Sequence, residues 1–72
     1  MKGNFFYKRL GFQIAKERKI KSLSQEKLAL VSSVDRTYIA RIEEGRANPS
    51  VKVLNKLCKG LGMRLSELLK GV

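Results

Sequence analysis

Histidine and tryptophan are absent, proline and cysteine occur once each, and six acidic residues stand against sixteen lysines and arginines in a chain of 72. Without histidine, neither a Ser-His nor a Cys-His nucleophile can be assembled, and one cysteine alone cannot hold a zinc ion. No paired carboxylates recur, so enzymatic activity is not expected, and nothing implies a metal, a cofactor or a small-molecule ligand. Cys58 has no partner for an internal disulfide, whereas small secreted scaffolds normally carry several, so a reducing, cytoplasmic compartment is expected. No apolar run reaches about 18 residues, and Met1 to Leu10 lacks the apolar stretch of a signal peptide, so neither membrane spanning nor export is expected.

What is present suits a folded body. Hydrophobic residues make up 43% of the chain and charged residues 31%, the balance of a compact domain rather than a disordered tail. One domain over residues 1–72 is expected, burying only about 60% of its unfolded surface, which leaves little room for an enclosed substrate pocket. The net charge of +10 is spread from Lys2, Lys8 and Arg9 to Arg64 and Lys70, and so belongs to the folded surface rather than to a tail. Such a surface fits a polyanion, nucleic acid ahead of an anionic membrane.

Apolar residues recur at helical spacing in five segments, with no strand alternation and no internal repeat. Asn4 is the candidate cap of a first helix through Phe5, Phe6, Leu10, Ile14 and Arg18. Gly11 costs about 1 kcal/mol there relative to Ala, implying either a close helix contact or an irregular start. Ser24 caps a second helix with Leu28 and Val31 inward and Ala29 allowing close approach, and Ser32-Ser33 reads as the turn after it. Asp35 caps a third helix, Arg36 to Glu44, with Ile39 and Ile42 on one side and Arg36, Thr37, Ala40 and Arg41 on the other. Gly45 closes it and the loop to Asn48 should be exposed. Pro49 suits the first turn of a fourth helix carrying Val51, Val53, Leu54, Leu57 and Cys58, stopped by Gly60 to Gly62. A short helix from Arg64 to Lys70 ends the chain.

Two helices joined by a tight turn, the second with short and basic side chains outward, describe a helix-turn-helix. The blocks Leu23-Ser24-Gln25-Glu26-Lys27-Leu28-Ala29, Val34-Asp35-Arg36-Thr37-Tyr38-Ile39, Arg41-Ile42-Glu43-Glu44-Gly45 and Asn48-Pro49-Ser50 together resemble the Cro/C1-type (Xre) helix-turn-helix family over about residues 6 to 69. The resemblance implies an all-α, five-helix, phage-repressor-like DNA-binding domain with its motif core at about residues 24–44. The run Asp35-Arg36-Thr37-Tyr38 also resembles the recognition helix of restriction-modification controller proteins. Two departures stand out: Ser33 occupies a turn position where the family commonly has Gly, implying strain of about 1 kcal/mol if φ is positive there, and Lys21-Ser22 differs from the usual end of the first helix.

Arg36 and Arg41 are the lead base readers, since arginine can grip guanine O6 and N7 together; contact with phosphate alone is the competing role. Thr37 would meet a thymine methyl or a phosphate. Ala40, turned to the groove by the resemblance, would act through close approach or serve as helix filler. Ser24 and Gln25 open the second helix, where free N–H groups favour a phosphate oxygen, and the resemblance places Gln25 on the DNA backbone. Tyr38 can pack its ring and reach a phosphate with its hydroxyl. Arg46 and Asn48 would clamp the next phosphate. The resemblance also implies a buried ion pair between Arg18 and Glu43. Cys58 reads as a core filler, and Phe5-Phe6-Tyr7 as closing either the core or a dimer contact.

A domain this small covers few base pairs, so two copies on half-sites about 34 Å apart are expected, with Met63, Leu65, Leu68, Leu69 and Val72 as surplus apolar surface for a homodimer. The expected function is a sequence-specific, nucleoid-associated transcriptional regulator on a pseudo-palindromic double-stranded operator. An antitoxin that represses its own operon is the alternative within DNA binding. A basic membrane-surface protein is the alternative outside it, disfavoured because the helices are short and capped.

Overall fold

The computed structural model describes the backbone of residues 2–72 and the side chains from Phe5 onward. Five helices follow one another, α1 (Lys2–Ile20), α2 (Gln25–Ser32), α3 (Arg36–Glu43), α4 (Val51–Leu61) and α5 (Leu65–Lys70), with no strand among the described residues. Leu10 and Ile14 of α1 meet Leu28 of α2, Ile39 and Ile42 of α3, Leu54, Leu57, Cys58 and Leu61 of α4 and Leu68 of α5 in one core. In that core α1 packs on α3 and α5, α2 on α3 and α4, and α4 on α5.

Glycine decides how closely two of these pairs approach. A Cβ on Gly11 would overlap the carbonyl oxygen of Ile42 and lie 2.8 Å from that of Glu43, so α1 crosses the end of α3 backbone to backbone. The glycine in the middle of α1 therefore marks a close helix contact, and the helix is regular through it. Gly60 lies inside α4 and faces α2, where a Cβ would stand 3.1 Å from Leu28 and Val31 side-chain atoms; the stop comes at Gly62, with φ of 70°.

The ends of α1 to α4 share one device, a residue in the left-handed conformation: Ser22, Ser33, Gly45 and Gly62, at φ of 58°, 60°, 75° and 70°. After α1, Leu23 N–H reaches back to the Arg18 carbonyl at 3.0 Å, and after α3, Arg46 N–H reaches the Arg41 carbonyl at 2.9 Å, the backbone closure typical of such ends. Serine fills two places where glycine would be strain-free. Lys21 Nζ adds a tie to the Leu61 carbonyl at the end of α4, 2.7 Å away.

Several expectations change. The backbone is already helical at Lys2, so Asn4 lies inside α1 rather than at its cap. Phe5 and Phe6 are exposed, which removes the core from their two expected roles and leaves the dimer contact as an expectation. In α2 the inward residue one turn after Leu28 is Ser32, not Val31: Ser32 is buried and its hydroxyl donates to the Leu28 carbonyl at 2.6 Å, leaving Val31 half-exposed. An apolar reading of the helix passes over a serine that satisfies its own hydroxyl. Pro49 precedes α4, whose cap is Ser50, accepting from Val53 N–H at 3.1 Å.

Candidate nucleic-acid interface

The geometry of α3 is set at its two ends and along one side. Asp35 Oδ2 accepts from Thr37 N–H at 3.0 Å and Tyr38 N–H at 3.3 Å, which fixes the first turn. Ile39 and Ile42 are wholly buried and fix the rotation of the helix about its axis. At about 100° per residue, Arg36, Thr37, Ala40 and Arg41 then fall on the opposite side. Arg36, Thr37 and Arg41 are exposed, and Ala40 is half-buried between them. Tyr38 is half-buried and its ring packs against the core, at the edge of that surface.

The start of α2 lies beside this surface through a polar network. Gln25 Nε2 donates to Glu43 Oε1 at 2.9 Å, and Arg18 donates Nε to Glu43 Oε2 at 2.7 Å and Nη2 to Oε1 at 3.0 Å. Arg18 Nη1 donates to the Leu23 carbonyl at 2.8 Å. The ion-paired side chains keep only 11% and 7% of their surface exposed. The Glu43 hydrogen bond raises the Arg18 pKa further above its already high value, against the opposing effect of burial. The guanidinium is therefore a permanent cation inside the fold, and its charge is not offered to solvent.

Ser24 Oγ accepts from Lys27 N–H at 2.9 Å, so its oxygen caps α2 while its hydroxyl proton is left for an outside acceptor. Gln25 gives one amide proton to Glu43 and keeps a second proton and its carbonyl oxygen. With the free N–H groups of the first turn of α2, the Ser24 hydroxyl proton and the second Gln25 amide proton form a donor cluster suited to an anionic oxygen. In the loop after α3, Arg46 and Asn48 are exposed, and Arg46 Nη1 rests on Glu44 Oε1 at 3.3 Å. Such an exposed pair is worth at most about 1 kcal/mol, so Arg46 can exchange its carboxylate for a phosphate at little cost. The Arg18–Glu43 pair is the one the resemblance implies; the Gln25–Glu43 link is the element that sequence reasoning missed, since the two residues are 18 apart and meet only when α2 packs on α3.

The apolar set at the C-terminal end divides. Leu68 is wholly buried against α1 and α4 and belongs to the core, so it presents nothing to a second chain. Met63, Leu65 and Val72 are half-buried at its edge and Leu69 is exposed. Leu69 and Val72 line a shallow depression with Phe5, Phe6 and Arg9.

Residues 14–68 match the helix-turn-helix family HTH_3. The control protein C.MunI of a Mycoplasma species is 45% identical over 65 residues, 89% of this chain and 88% of that protein. The 10 kDa protein of the ImmF control region of Bacillus phage phi105 is 38% identical over 61 residues, 85% of this chain and 68% of that protein. Among solved structures, the restriction-modification controller protein C.AhdI from Aeromonas hydrophila superposes with a TM-score of 0.84 at 35% identity, covering 86% of this chain and 94% of that one. The controller protein C.Esp1396I, solved as a tetramer in complex with its natural 35 base-pair operator, superposes with a TM-score of 0.85 at 36% identity, covering 92% and 87%. A family model over residues 14–68, together with relatives of 35–45% identity that match or superpose along most of the chain, shows that it belongs to the Cro/C1-type helix-turn-helix family.

Proposed function

We propose that this protein is a sequence-specific regulator of transcription that binds double-stranded DNA as a homodimer on a pseudo-palindromic operator. The observation that carries the reading is the outward side of α3, where Arg36, Thr37 and Arg41 are exposed around Ala40 while Ile39 and Ile42 are locked in the core. In this reading α3 enters the major groove, Arg36 and Arg41 read base edges, Thr37 and Ala40 approach the groove floor, and Ser24, Gln25, Tyr38, Arg46 and Asn48 hold phosphates. The helix-turn-helix domain is the working unit, it acts in the cytoplasm on the nucleoid, and it acts by binding rather than by catalysis.

The longest dimension of the domain is 32 Å, close to the roughly 34 Å between half-sites one helical turn apart. One copy therefore serves one half-site, and the second copy meets it through Met63, Leu65, Leu69 and Val72.

Selection of bound duplexes from a random pool, followed by titration at several salt concentrations, tests the proposal. Arg36→Ala should relax preference at one base pair of each half-site at a cost of about 1–3 kcal/mol. Gln25→Ala should weaken every duplex alike, and Arg46→Ala should lower the salt slope by about 1. Parent-like preference and affinity in all three variants would remove α3 and the start of α2 from the interface.

A further inference from the structure

The side of α1 turned away from the core is unlike an ordinary solvated helix face. Phe5, Phe12 and Ile20 are 64%, 69% and 62% exposed. At about 100° per residue all three lie within about 60° of one line along the helix, opposite Leu10 and Ile14. Lys8, Arg9, Lys16 and Lys19 lie on the same strip, and two shallow depressions that share Phe12 and Lys16 as walls run along it. The strip is about 22 Å long and holds no carboxylate. The one acidic residue of α1, Glu17, is half-buried and accepts from Gln13 at 3.2 Å. Among the described residues Lys8, Lys16 and Lys19 have no ion-pair partner, while Arg9 donates Nη2 to the Val72 carbonyl and its guanidinium lies 5.8 Å from the centre of the Phe5 ring. Gly11, on another side of α1, faces the end of α3, while Lys8 packs against Gly45 in the loop after α3 and so stands at the border between the strip and the proposed DNA surface.

We propose that this strip docks an acidic amphipathic helix of another protein, its carboxylates between the lysines and its apolar side chains against Phe5, Phe12 and Ile20. Four observations select that occupant. Phe5, Phe12 and Ile20 follow one another at seven and eight residues, two turns apart, the spacing of a stripe that meets a second helix lengthwise. Lys8 and Arg9 interrupt the apolar line between Phe5 and Phe12, and Lys16 and Lys19 interrupt it between Phe12 and Ile20, whereas a helix resting on a lipid surface keeps a continuous apolar side with its cations at the edges. A second copy of this strip would bring eight cations together with no carboxylate to meet them. Single-stranded nucleic acid fits less well, because the two rings are about 10 Å apart along the axis and adjacent bases need closer platforms.

The test uses the full chain and a fluorescent 21-residue helical peptide of Glu, Leu and Ala with Glu and Leu alternating along one side. A scrambled peptide of equal charge is the control. Anisotropy should give a Kd for the patterned peptide about tenfold or more below that of the scrambled one. The double variant Phe12→Ser/Ile20→Ser, unchanged in charge, should lose about that factor while keeping duplex affinity, since it removes two exposed apolar anchors. Equal binding of both peptides, or an unaffected double variant, would reduce the strip to general charge and overturn the proposal. So would Phe12-dependent binding of oligo-dT or of anionic vesicles in place of the peptide, or Phe12-dependent self-association in sedimentation.

Discussion

Gln25 Nε2 lies 2.9 Å from Glu43 Oε1, joining the first residue of α2 to the last residue of α3. The side chain best placed for a phosphate is thereby oriented by a carboxylate that α1 holds through Arg18. The two parts of the proposed interface are braced against one another before any ligand arrives, which lowers the ordering cost of binding.

Glu43→Ala should lose about 3 kcal/mol of stability, because it strands the Arg18 guanidinium in the fold. Urea denaturation checks this, and a midpoint unchanged from the parent would show the pair to be dispensable. The double variant Arg18→Met/Glu43→Leu, which removes both charges and fills the space, should recover most of the loss.

Gly11→Ala should destabilise by about 3 kcal/mol or more, since the new methyl meets carbonyl oxygens of α3 rather than a flexible side chain. Gly62→Ala is the comparison, because a Cβ there meets nothing within 4 Å and only the positive φ opposes it; its cost should stay near 1 kcal/mol. Thermal unfolding of the two variants side by side decides whether the α1–α3 approach is as tight as described.

Ser33→Gly should raise stability by about 0.5–1 kcal/mol, the left-handed strain relieved less the added freedom of glycine when unfolded. Ser22→Gly should do the same at the end of α1. A fall in the urea midpoint of either variant would mean that the serine stabilises its turn by more than its backbone conformation costs.

Burial, with a smaller contribution from Glu67, raises the Cys58 thiol above its ordinary pKa. The thiol is protonated in both states at neutral pH, so its contribution to stability is intact there. As pH rises past the ordinary thiol range the unfolded chain ionises first, and stability falls until the folded pKa is reached. Cys58→Ala should therefore lose less stability than the parent between pH 7 and pH 10, even though it is less stable at both. Identical pH dependence of the two proteins would contradict a buried neutral thiol.

Much of this architecture is legible in the chain before any coordinates. Ser24, Asp35, Gly45 and Gly62 mark real helix ends because their chemistry is local: a cap or a left-handed turn needs only its neighbours. Gly11 signals a close contact for the same reason, as no isolated helix gains from a central glycine. The failures are tertiary. Val31 and Ser32 exchange places because the burial of a small hydroxyl depends on the neighbour that Gly60 admits. Hydrophobicity alone leaves Phe5 and Phe6 between the core and a dimer contact, and the rotation of α1, decided by Leu10 and Ile14, is what takes them out of the core. Leu68 reads as surplus surface at the end of a short helix, and only the seat that α1 and α4 build makes it central. The tie from Gln25 to Glu43 carries no sequence signature, since both residue types are at home on exposed surfaces.

The order in which the helices touch has a consequence for dissecting the protein. Followed from neighbour to neighbour, the contacts run from α1 to α3, α3 to α2, α2 to α4, α4 to α5 and back to α1, a closed circuit with each helix holding two others. Residues 24–44 alone would keep one joint of the five. A fragment carrying the whole helix-turn-helix would have only the α2–α3 contact to set the rotation of both helices and would leave their sides toward α1 and α4 open to water, so the smallest foldable piece of this chain is close to all of it.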